Sequence, residues 1–283
     1  MLRSALRILG RDDVEEALAL CQQDLVANLF VASRLYAVWT DARRSGGEIW
    51  GWYEGSRLGA VCWSGANLVP AQAGGQAVEA FAARARRQGR QCSSIVGPAE
   101  PVLEMWRWLR PYWGPAREVR AHQPLMALTG PPRVAADPAV RRSAPEELSL
   151  VVPACVAMFT EEVGYSPVTA DGGTLYHSQV AALVGAGRSF VRIDPGPGGP
   201  EVLFKAELGS VTPDAVQVQG VWVNPAHRGR GLAAPGVAAV AGIVQREVAP
   251  VVSLYVNSFN TRAIRAYERV GFHAVGAYAT VLF

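Results

Sequence analysis

The segment VQVQGVWVNPAHRGRGLAAPGVAAVAGIV, residues 216–244, constrains the fold more than any other stretch of this chain. Alternating β-branched residues predict a strand that stops at Asn224-Pro225. A glycine-rich turn then opens an apolar helix. Such a turn is an anion-binding geometry, because successive backbone N–H groups around Gly229, Gly231, Leu232 and Ala233 point at one spot that the helix dipole makes favourable for negative charge. Glycine lets a phosphate approach closely, and Arg228 and Arg230 add charge. Pro235 falls in the first helical turn, where its missing N–H forfeits no intrahelical bond.

Three readings of the turn compete. A P-loop fails, because no Gly-Lys-Ser/Thr follows the glycines. Gly229, Gly231 and Ala234 satisfy the loose dinucleotide pattern GxGxxG/A, but Asn257 stands where a ribose-binding acid is expected. A strand-to-helix turn with no ligand is the third. The next segment, VVSLYVNSFNTRAIRAYERVGF, predicts a short strand, Asn260 as N-cap, an amphipathic helix, and Gly271 as its stop. Together the two segments resemble the GNAT acyl-CoA N-acyltransferases: an Arg-x-x-Gly-x-Ala turn at Arg228, Gly231 and Ala233, followed by Asn260, Ala263, Tyr267, Gly271 and Phe272. The resemblance covers about residues 140–283.

What the resemblance implies is an α/β (α+β) fold, a mixed central sheet flanked by helices, whose fourth and fifth strands splay apart to admit the pantetheine arm of acetyl-CoA. Val221 and Val223 would pair with the pantetheine amides, and Arg228, Gly229, Arg230, Gly231, Leu232 and Ala233 would cradle the pyrophosphate. Asn260 would border the arm near the thioester, and Tyr267 would be the general acid for the departing thiolate. Tyr267 also belongs to a helical stripe with Ala263, Ile264 and Val270, so a plain core role stands beside the catalytic one. Many family members carry a glutamate on the strand before the glycine turn, where this chain offers Gln217 and Gln219, which cannot take a proton. Glu207 on the neighbouring strand is the substitute base, followed by Glu161 and Glu162. Water is the other route for the amine's proton.

At about 150 residues per domain, 283 residues lead to the expectation of two. The proline-rich stretch TGPPRVAADPAV, residues 129–140, reads as a linker, giving domains 1–130 and 138–283. Both halves share an order of elements: helices, a strand hairpin, then strand, helix and strand. The first lacks the glycine turn, reading LVPAQAGGQAVEAF at residues 68–81, and is expected to be a degenerate GNAT-like domain in tandem with the active one.

With half the residues hydrophobic and 18% charged, the composition excludes a largely disordered chain. A net charge of +3 is too mild for a dedicated nucleic-acid binder. All but one of the 27 basic residues are arginine, a bias that reads first as genome composition; Lys205 is the exception. Cys21, Cys62, Cys92 and Cys155 show no metal-ligand spacing and suit a reducing cytoplasm, and no metal is expected. The N-terminal stretch MLRSALRILGRDDVEE turns charged before an export signal develops, and the apolar run 232–244 is too short to span a bilayer. The segment MWRWLRPYW interleaves Trp106, Trp108 and Trp113 with arginines, and is expected to be an amphipathic helix burying its tryptophans. These features lead to the expectation of a cytoplasmic N-acetyltransferase that moves an acetyl group from acetyl-CoA to a small-molecule or peptide amine by direct attack in a ternary complex. Neither membrane nor nucleic acid is an expected partner, and a homodimer is one assembly allowed. The opposing expectation is a non-catalytic acyl-CoA-binding or regulatory protein.

Overall fold

A computed structural model describes residues 5–40, 46–168 and 173–283, so the first four residues of the stretch read for an export signal lie outside the described residues. The chain forms two compact units. One runs to Met126 and adds Tyr255–Phe259 and Ala274–Phe283; the other holds Ala127–Leu254 and Asn260–His273.

The first unit begins with strand β1 (Ala5–Ile8) and helices α1 (Val14–Cys21) and α2 (Leu25–Thr40). Residues 12–38, continuous as a helical pattern, are broken by a 3-10 turn at Gln22–Asp24, where the Asp24 carboxylate accepts from Ala27 N–H and caps the helix that follows. Three antiparallel strands follow, β2 (Glu48–Glu54), β3 (Arg57–Ser64) and β4 (Asn67–Ala71). Helix α3 (Gln76–Gln88) carries the chain to β5 (Ser94–Pro98), parallel to β4, and α4 (Ala99–Trp113) leads to β6 (Glu118–Leu128). Alternation along β2 sends Ile49 and Tyr53 into the core with α1 and α2, and Trp50 and Trp52 into the core with Phe81 and Met105 on the other face. In α4, Trp106 is buried but Trp108 is 47% exposed, against the expectation that the tryptophans are all buried. Residues two apart on a helix do not share a face.

The second unit holds the short strand β7 (Arg141–Arg142), helices α5 (Leu148–Val163) and α6 (Thr174–Gly185), and antiparallel β8 (Ser189–Gly196), β9 (Gly199–Val211) and β10 (Ala215–Val223). Helix α7 (Ala233–Glu247) then crosses to β11 (Val251–Tyr255), parallel to β10, and α8 (Thr261–Val270) follows. Strand order is β7-β8-β9-β10-β11. Antiparallel strands followed by helix, parallel strand and helix thus occur in both units. Helices α5 and α6 bury Val151, Cys155, Val180 and Val184 against Val191 and Trp222. Helix α7 rides close on β9, since a Cβ at Gly236 would stand 2.7 Å from the Phe204 ring.

The last strand, β12 (His273–Leu282), belongs almost wholly to the first unit, antiparallel to β5 with Tyr278 opposite Pro98 and Leu282 opposite Ser94. Ala279 and Val281 enter that unit's core, and the Tyr278 hydroxyl donates to Ala27 O at 2.6 Å. The division therefore differs from a single boundary that leaves 138–283 whole.

Burial raises the thiols of Cys21 and Cys155 from 9.0 to about 12 and that of Cys92 to about 11. A thiol whose folded value lies above its unfolded value contributes stability that is complete below the unfolded value and lost as pH rises through the folded one. The melting temperature is therefore expected to hold to about pH 8.5 and to fall between about pH 9 and 12, as a thermal-denaturation series across alkaline pH will record.

Candidate functional site

The site grows from two interruptions in β10. Gln217 pairs with Ser210 and Val218 with Leu208, leaving Gly209 as an extra residue on β9. A Cβ there would stand 2.2 Å from the exposed Gln219 side chain, which a larger residue would displace. Gln219 then pairs with Glu207 and Trp222 with Lys205, so Gly220 and Val221 together oppose Ala206. Gly220 has φ +58, the left-handed conformation that a bulge of this kind demands. Sequence reasoning passed over Gly220, although a lone glycine inside a β-branched run signals a bulge. Towards β11, β10 pairs only from Ala215 to Gln217, with Val251 to Ser253. Beyond Gln217 the parallel ladder stops, and the β11-facing edge of β10 has no strand partner there among the described residues.

Val221 sits in the bulge, half-buried and outside the β9 ladder. Val223 pairs with Phe204, and its carbonyl accepts from Arg228 Nε at 3.0 Å. Asn224 Oδ1 accepts from Ala226 N–H and starts a 3-10 turn at Pro225–His227. Gly229 and Gly231 have φ of +78 and +79, and nothing stands within 4 Å of where a Cβ would be on either. The N–H groups of Gly231, Leu232, Ala233 and Ala234 have no backbone partner among the described residues, and the first intrahelical bond runs from Gly236 N–H to Leu232 O. A cradle of free donors at the start of a 15-residue helix, open where a side chain would intrude, fits a pyrophosphate.

The arginines of the turn are engaged within the protein. Arg228 Nη2 donates to Glu161 Oε2 at 2.5 Å, and Trp222 Nε1 donates to Glu161 Oε1 at 3.2 Å. Arg230 contacts His227, whose other ring nitrogen lies 2.9 Å from Glu201. Glu161, one of the candidate bases, is thus occupied as a brace between α5, β10 and the turn.

Asn260 caps α8, its side-chain oxygen accepting from Ala263 N–H at 3.2 Å. Tyr267 is 7% exposed, with its ring 6.1 Å from Phe272. Burial and then the Glu162 carboxylate hold its phenol above the ordinary value of 10, so it stays protonated at any neutral working pH. Glu162 is therefore the member of the Glu161/Glu162 pair whose charge reaches Tyr267.

On the face of the sheet beneath α5 lies a buried polar cluster. Lys205 Nζ is 2.5 Å from Glu207 Oε1, and the Cys155 thiol donates to that same oxygen at 3.2 Å. Tyr176 of α6 donates to Cys155 O at 3.0 Å. Lys205 is fully buried and Glu207 is 6% exposed. A Cβ at Gly220 would stand 3.3 Å from Glu207 Oε2 and 3.1 Å from Lys205 Nζ, so this cluster touches the bulge. Gln217 is buried too, with its side-chain nitrogen unpaired, whereas Gln219 is exposed. The structure thus brings Glu207, Gln219 and the Gly220 bulge together.

Fold and site define a mixed-sheet α/β protein with an anion cradle beside an opened pair of parallel strands. Residues 175–272 match the acetyltransferase (GNAT) family, which marks that segment as a GNAT domain. Residues 47–151 match a family described as a domain of unknown function, DUF4081. Among solved structures, a GCN5-related N-acetyltransferase from Sphaerobacter thermophilus aligns over 98% of this chain and 94% of its own, with 16% identity and a TM-score of 0.60. A tandem GNAT protein from the clavulanic acid biosynthesis pathway aligns over 99% and 98%, with 14% identity and a TM-score of 0.56. An acetyltransferase of the GNAT family from Colwellia psychrerythraea aligns over 99% of both chains, with 12% identity and a TM-score of 0.54. At these identities the likeness is one of fold, and it establishes the GNAT-type mixed sheet. No curated protein matches the chain in sequence. Among the described residues no helix is long and apolar enough to cross a membrane.

Proposed function

We propose that the chain is an N-acetyltransferase that moves the acetyl group of acetyl-CoA to an amine, and that the second unit binds the donor. The observation that carries this reading is the broken β10–β11 ladder lying beside the open Gly229–Gly231 turn. The pyrophosphate is bound by the N–H groups from Gly229 to Ala233, flanked by Arg228 and Arg230. The pantetheine arm runs along β10, where Val221 is released from the ladder and Val223 lies a strand repeat further on. Asn260 fixes the start of α8 at the border of the arm, and so sets where Tyr267 is carried.

The acceptor amine attacks the thioester carbonyl directly. Glu207 takes the amine's proton and Tyr267 protonates the departing thiolate, each group being useful only if it is held within reach of its partner. Backbone N–H groups released at the bulge polarise the carbonyl. A covalent acyl-cysteine route is disfavoured, since burial holds the Cys155 thiol up at about 12 and leaves it un-ionised near neutral pH. The working compartment is the cytoplasm, and the acceptor is a small-molecule or peptide amine. The N-terminal unit is a degenerate GNAT-like half whose β4–α3 connection lacks the Arg-x-x-Gly-x-Ala turn.

Calorimetry with coenzyme A is expected to give one site per chain, abolished by substitutions in the glycine turn and unaffected by substitutions at Gly74 or Gly75. Two equivalent sites would overturn the degenerate assignment. Thiol release from acetyl-CoA across a panel of amines then tests the chemistry. Acceptor-dependent turnover is expected, whereas tight donor binding without turnover on any amine would make the chain an acyl-CoA sensor.

A further inference from the structure

The one lysine among 27 basic residues is fully buried, and it is ion-paired at the bulge. A buried ion pair seldom adds net stability, because the cost of desolvating both charges is of the same order as their attraction, and an apolar pair of similar volume serves a core better. The environment of Glu207 is also asymmetric. Oε1 receives both the Lys205 ammonium at 2.5 Å and the Cys155 thiol at 3.2 Å. Oε2 has no hydrogen-bond partner among the described residues and faces the space that a side chain at Gly220 would fill, 3.3 Å from that Cβ position. One oxygen is anchored, and the other is presented to the bulge.

We propose that Lys205 is a positioning residue for acetyl transfer: its ammonium anchors one oxygen of Glu207 and aims the other at the Gly220 bulge. This rests on the reading of Glu207 as the base. In the step it serves, the amine nitrogen forms a bond to the carbonyl carbon and its proton passes to Oε2. The carbon–sulfur bond breaks, and the thiolate takes the Tyr267 proton. The proton on Glu207 then returns through water to the Tyr267 phenolate, leaving amide, free thiol and an unchanged enzyme.

The groups facing Glu207 leave Lys205 as its controlling charge. From α5 comes the neutral Cys155 thiol, and Tyr176 of α6 lies behind it on the Cys155 carbonyl. Gln219 is opposite on β10, and Ser189 is opposite on β8, where it is occupied with Ser143. An arginine would meet the same bulge with a larger planar head whose five donors need more than one acceptor oxygen. Lysine alone suits so confined a place, in a chain otherwise given over to arginine.

Because the chain holds a single lysine, labelling lysine with 15N at the ζ position yields one side-chain ammonium signal in the whole protein. That signal is expected to shift in E207Q, which removes the charged partner of the ammonium, and E207Q is expected to lose most of the turnover. In K205M kcat should fall roughly tenfold or more while KM for acetyl-CoA stays within about twofold, since the carboxylate is present but no longer aimed. A signal unchanged in E207Q would overturn the proposal even if K205M fails to fold. If E207Q is inactive while K205M keeps the wild-type kcat, Lys205 loses its role and Glu207 remains the base. Wild-type turnover in E207Q removes both.

Discussion

Tyr267→Phe is expected to lower turnover by roughly 10² to 10⁴-fold while acetyl-CoA affinity stays nearly unchanged, the signature of an interaction made mainly in the transition state. The substitution keeps the ring in the α8 stripe and against Phe272, and removes only the hydroxyl. That hydroxyl has no hydrogen-bond partner among the described residues, so its loss strands no buried donor or acceptor. The melting temperature should therefore stay within a few degrees of wild type, corresponding to less than about 1 kcal/mol. The raised phenol adds a second signature. Since Tyr267 ionises above its ordinary value of 10, no alkaline loss of wild-type turnover from this group is expected below about pH 10. Steady-state kinetics and thermal melts on one preparation decide the matter, and near-normal turnover in the variant would remove Tyr267 from the mechanism.

Gly231→Val is expected to weaken coenzyme A binding by about a hundredfold or more, as a β-branched side chain enters the space that a phosphate must approach. Nothing stands within 4 Å of the Cβ position, so the surroundings are open where the new side chain starts. What remains is the backbone term. Holding valine at φ +79 costs roughly 1–2 kcal/mol, which pulls the turn away from the conformation that aligns its N–H groups and lowers the melting temperature by a few degrees. The paired control is Gly242→Ala in the middle of α7, which should leave affinity unchanged. Calorimetry that shows wild-type affinity in a folded Gly231→Val chain would refute the cradle.

Much of the second unit was legible before any coordinates. The strand that stops before Asn224-Pro225, the helix that the glycine turn opens and the helix between Asn260 and Gly271 are all present, as β10, α7 and α8. Local chemistry explains this: a β-branched run, an Asn N-cap and a glycine stop act over a few residues, and nothing distant opposes them. The glycine turn is legible for the same reason, because positive φ at Gly229 and Gly231 is a local demand that only glycine meets cheaply. The long helical pattern of residues 12–38 was legible as helix but not as two helices, since the break rests on one carboxylate capping Ala27.

Periodicity, capping and turn chemistry thus determined by themselves which segments are strands and helices, and where an anion would be cradled. Only the tertiary structure decided the partnerships. That β12 joins the first unit's sheet is a choice of ladder partner, and every exposed strand edge offers the same backbone groups, so the local sequence carries no address. The roles of the carboxylates were settled in the same way. Glu161, Glu162 and Glu207 are alike in sequence, yet one braces Trp222 and Arg228, one lends its field to Tyr267, and one shares a buried pair with Lys205 beside the bulge. The character of a carboxylate follows from its distance to other charges and from its burial, and both are properties of residues brought together by packing.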